Sequence, residues 1–134
     1  MTTSTGRDMY LTASVSTASP ARLVTMLYDR LVLDLGHAEQ ELRGGDRATG
    51  SARLLHAQTI LNHLRATLDV EAWTAAPGLA ALYTFLITEL IGANIGADPD
   101  RVLSCRRLLE PLRDAWRDAG QAATTAPAPS PKAA

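Results

Sequence analysis

Side chains able to do chemistry are few in this chain and poorly grouped. The histidines are His37, His56 and His63, and the one cysteine is Cys105. His56 and His63 lie seven residues apart, near one face of a helix, with Asn62 beside the second. A metal centre needs a third and usually a fourth ligand. Neither His-Glu-x-x-His nor the paired Glu-x-x-His of carboxylate-bridged bundles is present. The histidines are therefore expected at the surface or rim, and Cys105 as a small apolar residue on a buried face. Gly44-Gly45 is followed by Asp46, which would repel phosphate. The carboxylates are expected on solvent faces, with no pair in an apolar setting that would suit acid–base catalysis. Trp73 and Trp116 read as structural, one in a loop and one on a core face. No active site, metal or cofactor is expected, which leaves an interaction module.

Composition narrows the partners. The chain has 134 residues, 46% apolar and 20% charged, with a formal net charge of −1. That suits one globular domain with a core. The basic residues, nearly all Arg, alternate with acids as in "RDAWRD", so nucleic acid or an anionic membrane is not the expected partner. The N-terminus lacks the apolar run of a signal peptide. "LAALYTFLITELIGANI" is broken by Glu89 and Asn94, so no stable membrane insertion is expected. With a single cysteine and no disulfide framework, a soluble cytoplasmic protein is expected.

The elements follow from capping and periodicity. Residues 1–18 are small and polar, with Met9, Tyr10, Leu11 and Val15 as isolated apolar points, and read as an N-terminal arm. Ser19-Pro20 is a helix start. The first helix runs to about Arg43 and stops at Gly44-Gly45. The second runs from a cap at Asp46 to about Val70, the third from about Leu79 to Ile95. Asp98 and Pro99 open the fourth, which covers about Pro99 to Ala119. Pro111 predicts a kink or a short break in it. Residues 121–134, rich in Pro, Ala and Ser, read as a disordered tail. No strand alternation is present. The expectation is an all-α, antiparallel, up-down-up-down four-helix bundle over residues 19–120.

One stripe per helix accounts for the core. The stripes are Leu23, Leu27, Leu31, Ala38 and Leu42; then Leu54, Ala57, Leu61, Leu64 and Leu68; then Leu79, Leu82, Tyr83, Leu86 and Leu90; then Val102, Cys105, Leu109, Leu112 and Trp116. Several large apolar residues fall off them. Met26, Val32 and Leu33 lie to either side in the first helix. Leu55 and Leu103 point away in the second and fourth. Ile87, Ile91 and Ile95 drift round the side of the third. A side stripe of that kind suits an amphipathic helix from a partner, or a second copy of the chain in a homodimer.

Four ordered blocks carry a resemblance. They are Tyr10 with "SVSTASPARLVTMLYDRL", "GDRATGSARLLHAQTILNHLRATLD", "LYTFLITELIGANIGAD", and "LLEPLRDAW" ending at Trp116. Together they span about residues 8–118. The sequence resembles the flagellin-specific export chaperones of bacteria, the FliS family. That resemblance implies a cytosolic bundle that binds the C-terminal segment of flagellin. It also implies that premature filament assembly is blocked and delivery to the flagellar type III export apparatus supported. The export gate or other flagellar proteins are further implied partners. It makes Tyr10 a candidate for arm docking or client contact. Ile87, Ile91 and Asn94 fall in the matching third block, where Asn94 either bonds client backbone or helps close its own helix. Val15, Met26, Leu55, Ile95 and Leu103 complete the candidate client-binding set.

Overall fold

The structure, a computed structural model, describes residues 19–125. Residues 1–18, which include Tyr10 and Val15, and residues 126–134 lie outside the described residues. Four helices follow one another: α1 Pro20–Arg43, α2 Arg47–Thr67, α3 Ala76–Gly96 and α4 Pro99–Thr125. No strand occurs among the described residues.

The caps form where the sequence places them. Ser19 Oγ accepts the backbone N–H of Arg22 at 3.2 Å, and Pro20 takes the first helical position. At the other end of α1 the backbone bends back on itself. The N–H of Gly44 donates to the Gln40 carbonyl at 3.0 Å and that of Asp46 to Glu41 at 2.8 Å. Gly45, at φ 81, supplies the left-handed step of this turn. Asp46 then accepts from the N–H of Thr49 at 3.1 Å and opens α2. Asp98 opens α4 in the same way, accepting from Asp100 and Arg101 at 3.1 and 3.2 Å.

Boundaries shift at three places. Helix α2 ends at Thr67, because Leu68 turns to extended backbone at ψ 122. Helix α3 starts at Ala76 and takes Pro77 into its first turn, where the backbone N–H groups have no intrahelical partner to lose. Helix α4 continues to Thr125 without a break at Pro111. Pro111 sits on the exposed side of α4. There water can satisfy the carbonyl left unpaired one turn earlier.

The helices pack as a ring. Helix α1 packs against α2 and α4, and α3 closes the ring against the same two, with α3–α4 the least extensive of the four seams. Short connections make neighbours antiparallel. The expected stripes supply most of the core, including Leu31, Leu54, Leu61, Leu86, Leu90, Val102 and Leu109. Tyr28 and Tyr83 span the diagonal from α1 to α3, their hydroxyls 2.6 Å apart.

Several buried side chains lie off the expected stripes, Tyr28, Leu35 and Ile60 among them. Val32 and Ile87, expected at the side, are buried, Ile87 retaining only 9% of its exposure. Each helix touches two neighbours, so its buried arc is wider than a single stripe. Asp34, expected with the other carboxylates in solvent, is fully buried. Its carboxylate pairs with Arg30 at 3.3 Å and with His56 of α2. This buried acid is held by two partly exposed cation-forming groups, as a buried charge requires.

Candidate binding groove

The groove begins at the end of the bundle where α3 starts and α4 finishes. Trp73 and Ala75 come from the α2–α3 connection, Gly78, Leu79 and Leu82 from α3, and Leu112, Ala115 and Trp116 from α4. They enclose a concavity of about 490 Å³. Its floor is aromatic. Trp73 meets Trp116 edge to face at 6.5 Å, and Trp116 meets Tyr28 at 6.3 Å. Tyr28 in turn holds Tyr83. Burial pushes both tyrosine hydroxyls above their ordinary pKa, and the bond to Tyr28 raises Tyr83 further. Both therefore stay neutral inside the bundle.

Helical spacing continues the apolar lining of this concavity along the α3–α4 seam. Phe85 follows Leu82 by three residues and is 51% exposed; Leu108 precedes Leu112 by four and is also exposed. Beyond them lie Glu89 and Arg101, joined by two bonds from the guanidinium to Glu89 Oε2 at 2.9 and 2.5 Å. The outer face of α3 continues the apolar surface. Ala81, Thr84, Phe85, Thr88, Ile91 and Ile95 are all exposed and none is charged. Ile95 is the most exposed large apolar residue, at 74%. Arg47 of α2 reaches across to the carbonyl of Ile95 at 2.6 Å and fixes this end of the helix.

The expected site residues divide by element. Ile91 and Ile95 share the exposed face of α3. Ile87 does not join them, because it belongs to the core. Asn94 is half-buried, and its backbone carbonyl accepts the N–H of Ala97 at 3.3 Å, a bond that does not involve its side chain. Leu55 is exposed on α2 and Met26 on α1, while Leu103 is half-buried on α4. Met26 lies on the helix diagonal to α3, so these outliers do not form one patch. Phe85, Leu108, Leu82 and Leu112 were not singled out as a surface by the sequence. The available signal was charge: α2 contains no acidic residue, and α3 contains only Glu89.

Among the described residues, no three His, Cys, Asp or Glu side chains group as a metal site. Cys105 is buried, and burial pushes its thiol up to about 11, so the thiolate is disfavoured at neutral pH. Among the described residues, only α3 has the length and hydropathy of a membrane span. It also packs Tyr83, Leu86, Leu90 and Ala93 into the bundle core.

Comparison with known proteins gives a consistent result. The family model for the flagellar protein FliS matches residues 3–123. The flagellar secretion chaperone FliS of Bacillus subtilis is 30% identical over 112 residues, 84% of either chain. That of Salmonella typhimurium is 32% identical over 123 residues, 87% of this chain and 91% of the relative. That of Escherichia coli is 31% identical over 108 residues, 79% of each. These relatives carry the name of a chaperone and not of an enzyme. On this evidence the chain belongs to the FliS family of flagellar proteins.

Proposed function

We propose that the protein is a cytosolic export chaperone that binds the C-terminal region of flagellin, keeps it from polymerising prematurely, and supports its delivery to the flagellar type III secretion apparatus. The observation that carries this reading is the exposed, uncharged apolar face of α3 with the groove beside it. A helix seated in a bundle has no need of Phe85, Ile91 and Ile95 in water. A contiguous surface of this kind fits the apolar face of a partner helix. Flagellin termini carry such faces for packing within the filament, so covering them blocks assembly by occupancy alone. A client that is disordered when free loses ordering entropy on binding, which limits net affinity and allows release without ATP.

In this reading the α3–α4 groove and Ile91 and Ile95 form the central contact. Leu55, Leu103, Asn94 and Met26 contribute where the client wraps further round the bundle, and Tyr10 and Val15 contribute from the 1–18 segment. Ile87 supports the face from beneath. Export-gate components and other flagellar proteins are secondary partners.

The test is to mix the purified chain with its cognate flagellin and follow complex formation by size-exclusion chromatography and calorimetry. A soluble complex that disappears when the flagellin C-terminus is deleted is the expected result. Binding unaffected by that deletion overturns the proposal. A tight dimer of the chain alone, lost in Ile91→Asp, would point to the surface being used on itself.

A further inference from the structure

The α3–α4 groove has unlike ends. One is the open aromatic concavity at Trp73 and Trp116. Along α3, Gly78, Leu82 and Phe85 form a stripe that continues to Glu89 and Gly92. Along α4, the stripe of Ala115, Leu112 and Leu108 leads to Arg101. The two stripes therefore converge on one ion pair. Arg101 Nε and Nη2 both donate to Glu89 Oε2. Gly92 makes room for the guanidinium: a Cβ at this position would overlap Nη1, Cζ and Nη2 of Arg101. Glycine weakens a helix interior relative to alanine, so α3 gives up local stability to seat this group.

We propose that Arg101, seated over Gly92 and held by Glu89, is a stop that sets the register and length of the helical flagellin segment lying in the α3–α4 groove. The inference rests on the client-binding reading above. From Gly78 to Glu89, α3 rises about 16 Å, or three turns of helix. Over that distance the walls are apolar and uncharged, as an apolar helix face requires. At Arg101 the surface changes to a filled, charged and hydrogen-bonded block. A helical segment longer than the groove must end there or turn away. Glu89 and Arg101 neutralise each other, so the block acts by shape and by resisting desolvation, not by attracting charge.

Amide hydrogen exchange on the complex of the full chain with flagellin tests this. The relevant client segment is the one whose protection is lost in Phe85→Asp. In the unmodified complex it should span roughly three turns, about 11 residues. Arg101→Met keeps the aliphatic stem and Gly92 but removes the guanidinium. Gly92→Ala displaces the guanidinium by a different route and should also strengthen the helix. Both should lengthen the protected stretch by about one turn, roughly four residues, with no fall in melting temperature. Glu89→Gln, which loosens the anchor without removing it, should lengthen it less. A protected stretch unchanged in whichever of Arg101→Met and Gly92→Ala folds normally overturns the stop while leaving the chaperone reading intact. No protected client segment in the unmodified complex overturns both.

Discussion

Two seams of the bundle differ in how they treat charge. Between α1 and α4, ion pairs run the length of the contact: Arg43 with Asp100 at 2.9 Å, Arg106 with Glu39 at 3.3 Å, and Arg117 with Asp29 at 2.7 Å. Between α2 and α3 there is no ion pair among the described residues. Arg65 donates to Thr84 Oγ1 at 3.4 Å and Arg47 to the Ile95 carbonyl, and the exposed remainder of α3 is apolar or hydroxylic. Both pairs of helices bury good cores, so the contrast is one of surfaces. A face lined with satisfied charges is costly to desolvate and stays in water. A face of Phe85, Ile91 and Ile95 gains by being covered. In the reading proposed above, one side of the bundle remains a surface and the other becomes an interface.

The largest effect should come from a core position on the charged side, set against an exposed one on the apolar side. Leu35 of α1 is fully buried, and Leu35→Ala should cost about 2–5 kcal/mol in urea unfolding. Ile95→Ala removes a side chain of the same size, but one that is 74% exposed, and should change stability by no more than about 0.5 kcal/mol. If Ile95→Ala destabilises as much as Leu35→Ala, α3 is a structural helix and its exposed face has no separate role.

Binding should invert that order. Phe85→Asp places a charge on the groove wall and should weaken flagellin binding by about 30-fold or more, equivalent to about 2 kcal/mol or above, the size expected at an interface hot spot. The same variant should melt close to the parent. Titration calorimetry and thermal unfolding on one preparation separate the two readouts. A binding loss that tracks a fall in melting temperature would erase the distinction between the seams.

How much of this the sequence revealed depended on the kind of signal. Ser19-Pro20, Gly44-Gly45 with Asp46, and Asp98-Pro99 act through local backbone chemistry, and each caps or ends a helix as expected. The core stripes act through periodicity, and their residues lie in the core or pack against it except Leu23, which stays at its edge. What periodicity misses is how many neighbours a helix has. Ile87 was expected beside Ile91 and Ile95, but α3 lies between α2 and α4, so its buried arc widens to take Ile87 in. The same widening buried Val32, and neighbouring α2 brought His56 onto Asp34. The groove was harder still. Phe85 and Leu108 are far apart in sequence, and only the antiparallel alignment of α3 with α4 puts their stripes side by side. Ile91 and Ile95 were legible because they depart from a stripe on their own helix.

A middle-sized effect should arise where the two sides meet at the core. Tyr28 on α1 and Tyr83 on α3 satisfy each other's hydroxyls. Tyr83→Phe leaves the Tyr28 hydroxyl without that partner and should cost about 1–3 kcal/mol. The double change to Phe should cost less than the sum of the two single changes, since it removes both polar groups together. The pair also sets an alkaline limit. Its folded pKa values lie above the ordinary tyrosine value, so the neutral pair stabilises fully below about pH 10 and less as pH rises beyond it. The double Phe variant should lose less stability than the parent over that range. Parallel alkaline curves for the two proteins would show that the hydroxyl pair does not link the α1 and α3 sides.

The smallest effect bears most directly on what the charged seam is for. Arg117 and Asp29 are both nearly half exposed although their atoms lie 2.7 Å apart. An ion pair of that exposure contributes under about 1 kcal/mol, and salt screens it. Arg117→Met should therefore leave urea unfolding nearly unchanged. If the pairs along α1–α4 held the bundle together, the variant and high salt should each destabilise it clearly. If instead they keep that side hydrated, the loss should appear in solution behaviour. Replacing Arg117 and Arg113 with Met should raise self-association in sedimentation experiments at constant stability, because the change makes the α1–α4 side resemble the α3 face. An unfolding free energy that falls with each lost pair would mean the charges are structural. The separation between a wet side and a docking side would then rest on the apolar residues of α3 alone.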